Sequence, residues 1–330
     1  MGKKGGYMFE TAEIGSSIEK DVYEKESIAI RDQLLAVQRK LAGQKFPVVI
    51  LISGAEGAGK GELVNLLNEW MDARGIQTHA MWTPSDEELE RPRFWRFWRM
   101  LPPKGKIGIF FGSWYSNPII DRVYKKMDQE RFLGEMRRIR GFERMLVNEG
   151  ALVLKFWLHL SKKAQKQRLK DLASDQDTAW KVTKLDWKFF GKYDKFRKVS
   201  EQALRETSTG EAPWHIVEAV DKRYRQLTVT KTILNALLER LGKKGEEKGA
   251  DQPSPALPKP KKVNVINQLD LTKSISQAEY DNTLLKLQGK LNLLTRKLYN
   301  KGRSMVMVFE GNDAAGKGGS IRRAIKAIDA

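Results

Sequence analysis

Two short glycine runs ending in lysine are the residues best suited to chemistry: Gly54-Ala-Glu-Gly-Ala-Gly-Lys60-Gly61 and Gly311-Asn-Asp-Ala-Ala-Gly-Lys317-Gly318. Each has the glycine, four residues, glycine, lysine spacing of a phosphate-binding loop. Small residues let successive backbone N–H groups close around an oxyanion, the following helix N-terminus adds partial positive charge, and the lysine bridges phosphate oxygens. The candidate phosphate contacts are therefore Gly54, Gly57, Gly59, Lys60 and Gly61 in the first loop, and Gly311, Gly316, Lys317 and Gly318 in the second. A loop that hydrolyses nucleotides follows its lysine with Ser or Thr, whose hydroxyl ligates Mg²⁺. Here Gly61 and Gly318 stand there, so a metal must be held by another group. Glu56 and Asp313, the third residue of each loop, are the candidates. A carboxylate beside phosphate is costly unless a cation lies between them. The competing reading of these acids is an interaction with the helix dipole alone.

Such loops need a buried strand in front and a helix behind. Val48-Val-Ile-Leu-Ile52 is apolar without alternation, which predicts a strand covered on both faces, as in a parallel sheet. Leu63, Leu66, Leu67, Trp70 and Met71 then recur at helical spacing. Further strands are predicted at Gln77–Trp82, Ile107–Phe111, Ala151–Leu160 and His215–Ala219. Helical stretches are predicted at Ser17–Leu41, Asp121–Asn148, Ser161–Leu172 and Asp221–Leu241. This alternation argues for an α/β fold with a parallel sheet between helices.

Lys60 and Lys317 lie 257 positions apart, and the same offset pairs Tyr23 with Tyr280, Arg39-Lys40-Leu41 with Arg296-Lys297-Leu298, and Gly54 with Gly311. The sequence thus reads as two homologous domains joined head to tail: residues 1–241 the first, 242–265 a linker, and 266–330 the start of the second. The linker holds Pro253, Pro255, Pro258 and Pro260 beside a lysine-rich run and reads as a solvated spacer. The second copy includes its first strand, its loop and part of the next helix, as expected of a piece of a longer protein. Such a remnant is not expected to close a sheet.

The chain has 330 residues, 60 Lys+Arg against 41 Asp+Glu, and a net charge of +19, a balance that favours polyanionic partners. The absence of cysteine excludes disulfides, thiolate nucleophiles and Cys-ligated metals, and three scattered histidines argue against a His-based metal centre. No apolar run reaches the ~20 residues of a membrane helix or follows the basic amino terminus as a signal peptide would, so a soluble, cytoplasmic protein without membrane partners is expected.

Several runs carry a resemblance beyond the loops: Gly311-Asn-Asp-Ala-Ala-Gly-Lys-Gly-Gly319, Ser113-Trp-Tyr115, Phe142-Glu-Arg-Met-Leu146, Lys155-Phe-Trp-Leu158, Trp180-Lys181 and Ala212-Pro-Trp214. Together they closely resemble the polyphosphate kinase 2 family, and the duplication resembles its two-domain branch. The resemblance implies a P-loop kinase-like, three-layer α/β/α fold with a helical lid. It also implies Mg²⁺-assisted transfer of the terminal phosphoryl group of inorganic polyphosphate to AMP, giving ADP. Carried over by position, Lys60 and Lys317 match the family's loop lysine, Asp313 its loop aspartate and Arg122 a later basic position, so Asp313 and Lys317 are the expected catalytic pair. After the third strand the family reads Asp-Arg-Ser-Trp-Tyr-Asn-Arg, whereas this chain has Phe111-Gly-Ser-Trp-Tyr-Ser-Asn117. An aspartate expected to help hold Mg²⁺ and two arginines are missing, and phosphoryl transfer depends on such charges. The first domain therefore reads as degenerate.

A phosphate polymer also needs a basic track. Arg91, Arg93, Arg96, Arg99, Lys104 and Lys106 have no acid among them, and fourteen cations face six acids between Lys155 and Arg205. A solvated helix face is the competing reading of both stretches. Interleaved Phe94, Trp95, Phe97 and Trp98 could stack a base, though this spacing suits a helix core better, so nucleic acid is disfavoured as a partner. Two other readings stay open: an ATP-using nucleotide kinase and a non-catalytic polyanion-binding module. A homo-oligomer is left open as well.

Overall fold

The computed structural model describes residues 8–81, 83–242, 274–303, 305–311 and 315–328. Linker residues 243–265 and Asp313 lie outside the described residues, while Gly242, the predicted first linker residue, ends a helix. The chain forms two compact units that divide after Lys243.

The first unit is built on five parallel strands: β1 (Val48–Gly54), β2 (Ile76–Ala80), β3 (Ile107–Phe111), β4 (Leu152–His159) and β5 (Trp214–Glu218). Their order across the sheet is β2-β3-β1-β4-β5, so β1 is central and its loop opens from the middle of the sheet's carboxyl edge. Successive side chains of a strand point to opposite faces, and the sequence of β1 meets that demand with apolar residues throughout. Val48, Ile50 and Ile52 pack with α1 (Lys20–Leu41), α2 (Lys60–Trp70) and α10 (Lys222–Gly242). Val49 and Leu51 join Phe110, Val153 and Trp157 on the other face, beneath α5 (Ser116–Val123), α6 (Gln129–Asn148) and α9 (Tyr193–Thr207). This is the expected three-layer α/β/α arrangement.

Between β4 and α9 lie α7 (Lys162–Ser174) and α8 (Lys184–Phe190), in the segment where the lid is expected. Two short helices, α3 (Asp86–Leu89) and α4 (Trp95–Trp98), precede β3. The stretch Asp121–Asn148, predicted as continuous, is broken. Helix α5 ends at Val123, Lys125 takes φ 61°, and the Asp128 side chain accepts from Arg131 N to start α6 afresh. Among the described residues no helix is long and apolar enough to cross a membrane.

In the second unit, α11 (Gln277–Asn300) and α12 (Lys317–Ile325) pack through Asn292, whose side chain donates to the Ala327 carbonyl at 2.8 Å. Residues 305–310, the counterpart of β1, form no strand.

Candidate phosphate-binding site

The first loop leaves β1 at Gly54, where a Cβ would lie 2.2 Å from the Leu158 carbonyl oxygen of β4. It closes at Gly59, which takes φ 79° and ψ 30° and launches α2 at Lys60. Only glycine adopts that left-handed conformation without strain. A Cβ on Gly59 would also come within 2.5 Å of the Arg225 guanidinium. The Lys60 ammonium folds back over the loop, donating to the carbonyls of Gly54 (3.2 Å) and Ala55 (3.0 Å) and lying 3.1 Å from Glu56 Oε2. A Cβ on Gly61, the second residue of the helix, would meet open space. A Cβ on Gly57 would meet Arg168 and Leu169 of α7 at 3.6 Å, and Gln165 of α7 donates to the Glu56 carbonyl at 2.9 Å.

Sequence reasoning missed the charges beneath this loop. Glu62, in the first turn of α2, accepts from Arg225 Nη2 at 2.7 Å and lies 3.2 Å from Arg168 Nη2. Burial pushes its carboxyl up, but Arg225, then Arg168, Lys222 and Lys181, more than offset this and hold it below the usual range. Arg225 is fully buried; Nη1 donates to the Ala219 carbonyl at 3.0 Å, and Nε has no hydrogen-bond partner among the described residues. Desolvation pulls this guanidinium below its ordinary pKa, against the opposing pull of Glu62. A signal existed: Arg225 is spaced by fours with Val229, Ile233 and Leu237, all fully buried, so an arginine occupies a core position of α10.

The other predicted residues are dispersed. Arg122, in α5, donates to Gln129 Oε1 (3.0 Å from Nη2) and to the Met127 carbonyl. Phe111, where the resemblance calls for a metal-binding aspartate, ends β3 opposite Ile52 and packs against the apolar cluster beneath α1, α2 and α10. Gly112 takes φ 76°, and a Cβ there would lie 2.6 Å from the Met81 carbonyl oxygen, so this backbone has no room for the family's arginine. In the second loop, Gly311 takes φ 158°, Gly316 takes φ 79°, and the Lys317 ammonium donates to the Gly311 carbonyl at 2.5 Å, before α12 starts at Lys317. A Cβ on Gly316 or Gly318 would meet open space.

Four of the runs that carried the family resemblance, those at 113–115, 142–146, 155–158 and 212–214, meet in the core instead of the loop. Trp114 Nε1 and Tyr115 OH donate to Glu143 Oε1 at 2.9 and 2.6 Å, and Lys155 Nζ donates to Glu143 Oε2 at 2.7 Å and to the Thr207 carbonyl at 2.8 Å. Trp214 Nε1 donates to Thr207 Oγ1 at 3.0 Å. Lys155 pairs with Leu51 in the sheet, three residues before the loop begins. Burial lowers the Lys155 pKa against the pull of Glu143, and burial followed by the Glu143 charge drives the Tyr115 hydroxyl well above its usual range. This buried, fully hydrogen-bonded ion pair braces the face of the sheet under α6 and α9.

The two basic stretches differ. Arg91 and Arg99 both approach Glu87 and flank the Trp95 ring at 5.1 and 4.7 Å; Arg96 pairs with Glu88 and Arg93 with Glu135. The acids that answer the four arginines come from α3, just ahead of the run, and from α6, while Lys106 donates to the Arg74 carbonyl. Phe94 and Trp98 pack on Phe142, and Phe97 on Trp114; the core reading holds for Phe97, which is buried, while Trp98 stays 45% exposed and Trp95 lies between two arginines. In the second stretch Lys155 belongs to the core, while Lys162, Lys163, Lys166 and Lys170 of α7 stand exposed, with Lys162 paired to Asp194.

The polyphosphate kinase 2 family model matches residues 17–245 and again 274–330. A polyphosphate:AMP phosphotransferase of Pseudomonas aeruginosa is 48% identical over 98% of this chain and 65% of its own length. One from Pseudomonas syringae pv. tomato is 44% identical with the same coverage, so the chain spans about two thirds (65%) of the length of these relatives. The crystal structure of polyphosphate kinase 2 from Arthrobacter aurescens superposes with a TM-score of 0.68 at 28% identity, covering 77% of this chain and 91% of that one. With the loop on a central parallel strand, the duplicated register and a family match over both copies, the chain belongs to the polyphosphate kinase 2 family.

Proposed function

We propose that this chain is part of a polyphosphate:AMP phosphotransferase, in which an AMP phosphate oxygen attacks the terminal phosphorus of polyphosphate, the terminal P–O–P bond breaks, and ADP leaves with a polymer one unit shorter. The observation that carries the reading is the loop built twice: both copies set a lysine at the first position of a helix behind a left-handed glycine. Relatives that cover 98% of the chain are named for this reaction. In the second loop, backbone amides and Lys317 would hold the phosphates in line, which is most of what a protein supplies to phosphoryl transfer.

The proposal assigns the transfer to the second loop, with Lys317 on the transferring phosphate and Asp313 toward Mg²⁺. The first unit does not suit a Mg²⁺ site. Glu56 faces the Lys60 ammonium, Glu62 faces two guanidinium groups, and Phe111 ends β3. Among the described residues no three acids or histidines cluster as metal ligands. The first unit would instead serve assembly or polymer binding.

The test is an assay of the full-length parent protein with AMP, polyphosphate and Mg²⁺. ADP should form; Lys317→Ala should abolish it and Lys60→Ala should leave most of it. Equal loss from both substitutions would place chemistry in the first loop. Substituting ATP for polyphosphate as donor should give no comparable rate.

A further inference from the structure

We propose that the first loop carries its own counter-anions: Glu62 and Glu56 satisfy the cations around the cradle in place of a bound phosphate chain, so this loop serves as a structural joint between α2, α7 and α10. The inference rests on the reading of the family fold above and concerns the unit that reading leaves without a chemical role.

Three cations converge on the first loop, and each has a carboxylate partner from the loop or the first turn of its helix. Lys60 lies 3.1 Å from Glu56. Arg225 and Arg168 share Glu62, at 2.7 and 3.2 Å. Arg225 packs directly behind Gly59, the glycine that sets the loop's closing turn. A phosphate chain in a loop of this kind is held by the same classes of group: a lysine, arginines and backbone amides. Here two carboxylates present acceptor oxygens to them, and a phosphate arriving beside Glu56 and Glu62 would meet like charge.

The second copy shows that Glu62 is a departure and not a requirement of the loop. Its counterpart at the 257-residue offset is Gly319, and α12 starts at the corresponding lysine without an acid in its first turn. Arg225 cannot do without an acceptor in the first unit. It is fully buried, and a buried guanidinium without a carboxylate is strongly destabilising. Glu62 thus ties the strand-to-helix loop to α10 through Arg225 and to α7 through Arg168, with Gln165 making a second tie to the loop backbone.

The test measures binding, not turnover, and uses the whole chain with Lys317→Ala to silence the second loop. Inorganic tripolyphosphate is titrated calorimetrically into this protein and into versions carrying further substitutions. Adding Lys60→Ala should leave its affinity unchanged within about twofold, because Lys60 already has an anion. Glu56→Gln with Glu62→Gln should raise affinity about tenfold, and Lys60→Ala should remove that gain. The single change Glu56→Gln, on a side chain 34% exposed, keeps the test decisive should Glu62→Gln unfold the unit; it should give a gain of about threefold with an unchanged melting temperature. A tenfold loss on Lys60→Ala with both glutamates present, or no gain on removing Glu56, would overturn the proposal. ADP formation by the parent plays no part in this readout, so failure here leaves the role of the second loop standing, and the converse holds as well.

Discussion

The described residues of the two phosphate loops share a local geometry, while the five residues ahead of each do not. Gly59 and Gly316 both take φ 79°, and their helices begin at Lys60 and Lys317, the same register of the repeat. Val48–Ile52 is at most 1% exposed, yet the matching Met305, Val306, Met307, Val308 and Phe309 are 39–87% exposed. The turn and helix start are set by glycine stereochemistry and i to i+4 hydrogen bonds, which need only the local chain. A strand is completed by partners elsewhere: Val48 pairs with Ile107 and Leu152, whereas residues 305–310 have no strand partner among the described residues.

The sharpest way to break this comparison is amide hydrogen exchange on the intact chain. Amides of Val49–Ile52 should exchange only through global unfolding, at least about 10³-fold more slowly than those of Val306–Phe309. Equal protection would show that the second copy finds a sheet.

Next in size is the buried pair below the first loop. Lys155→Met strands Glu143 in the core and should destabilise the first unit by about 3–5 kcal/mol in denaturant unfolding. A loss under about 1 kcal/mol would mean the pair is not the brace described. In the parent protein, Lys317→Ala should reduce ADP formation about 10²–10³-fold, the scale for losing one charge-stabilising donor.

Gly112→Ala should cost about 1–2 kcal/mol, since a side chain would have to take φ 76° with its Cβ 2.6 Å from the Met81 carbonyl. A neutral result would show that the turn after β3 yields, and that the missing arginine has no steric cause. The smallest effect concerns pH. Arg225 and Arg168 hold the Glu62 carboxyl below its ordinary value of 4.5, so its stabilisation is fully present above that value and is lost as pH falls through the lower folded value. The stability gap between the wild-type chain and Glu62→Gln should therefore narrow on acidification below 4.5; a gap that widens there would contradict the ion-pair assignment.

Much of the fold was legible. All five strands stand close to their predicted positions; the inner strands β3, β1 and β4 carry the near-continuous apolar runs of strands covered on both faces, while the edge strand β2 is polar and only partly buried. The helix α9 was hidden in a charge-rich stretch, although Tyr193, Ser200, Ala203, Leu204 and Thr207 mark its buried face. The four-residue helices α3 and α4 are too short for any period to show. In the site, the loops and their lysines were readable as motifs. Arg225, Glu62, Arg168 and Gln165 were not, since they meet across 163 residues in one case and more than 100 in the others.

By itself the sequence determined the phosphate-loop turns, their duplication and the family, because these depend on residue types at fixed short spacings. Tertiary structure decided what those residues face. The motif tryptophan, tyrosine, glutamate and lysine became a core brace, the arginine run around α4 found its acids on α3 and α6, and the first loop's cations met carboxylates of its own unit. The physical reason is that charge pairing and burial depend on distances between elements far apart in the chain, which only the closed sheet and its packed helices bring together.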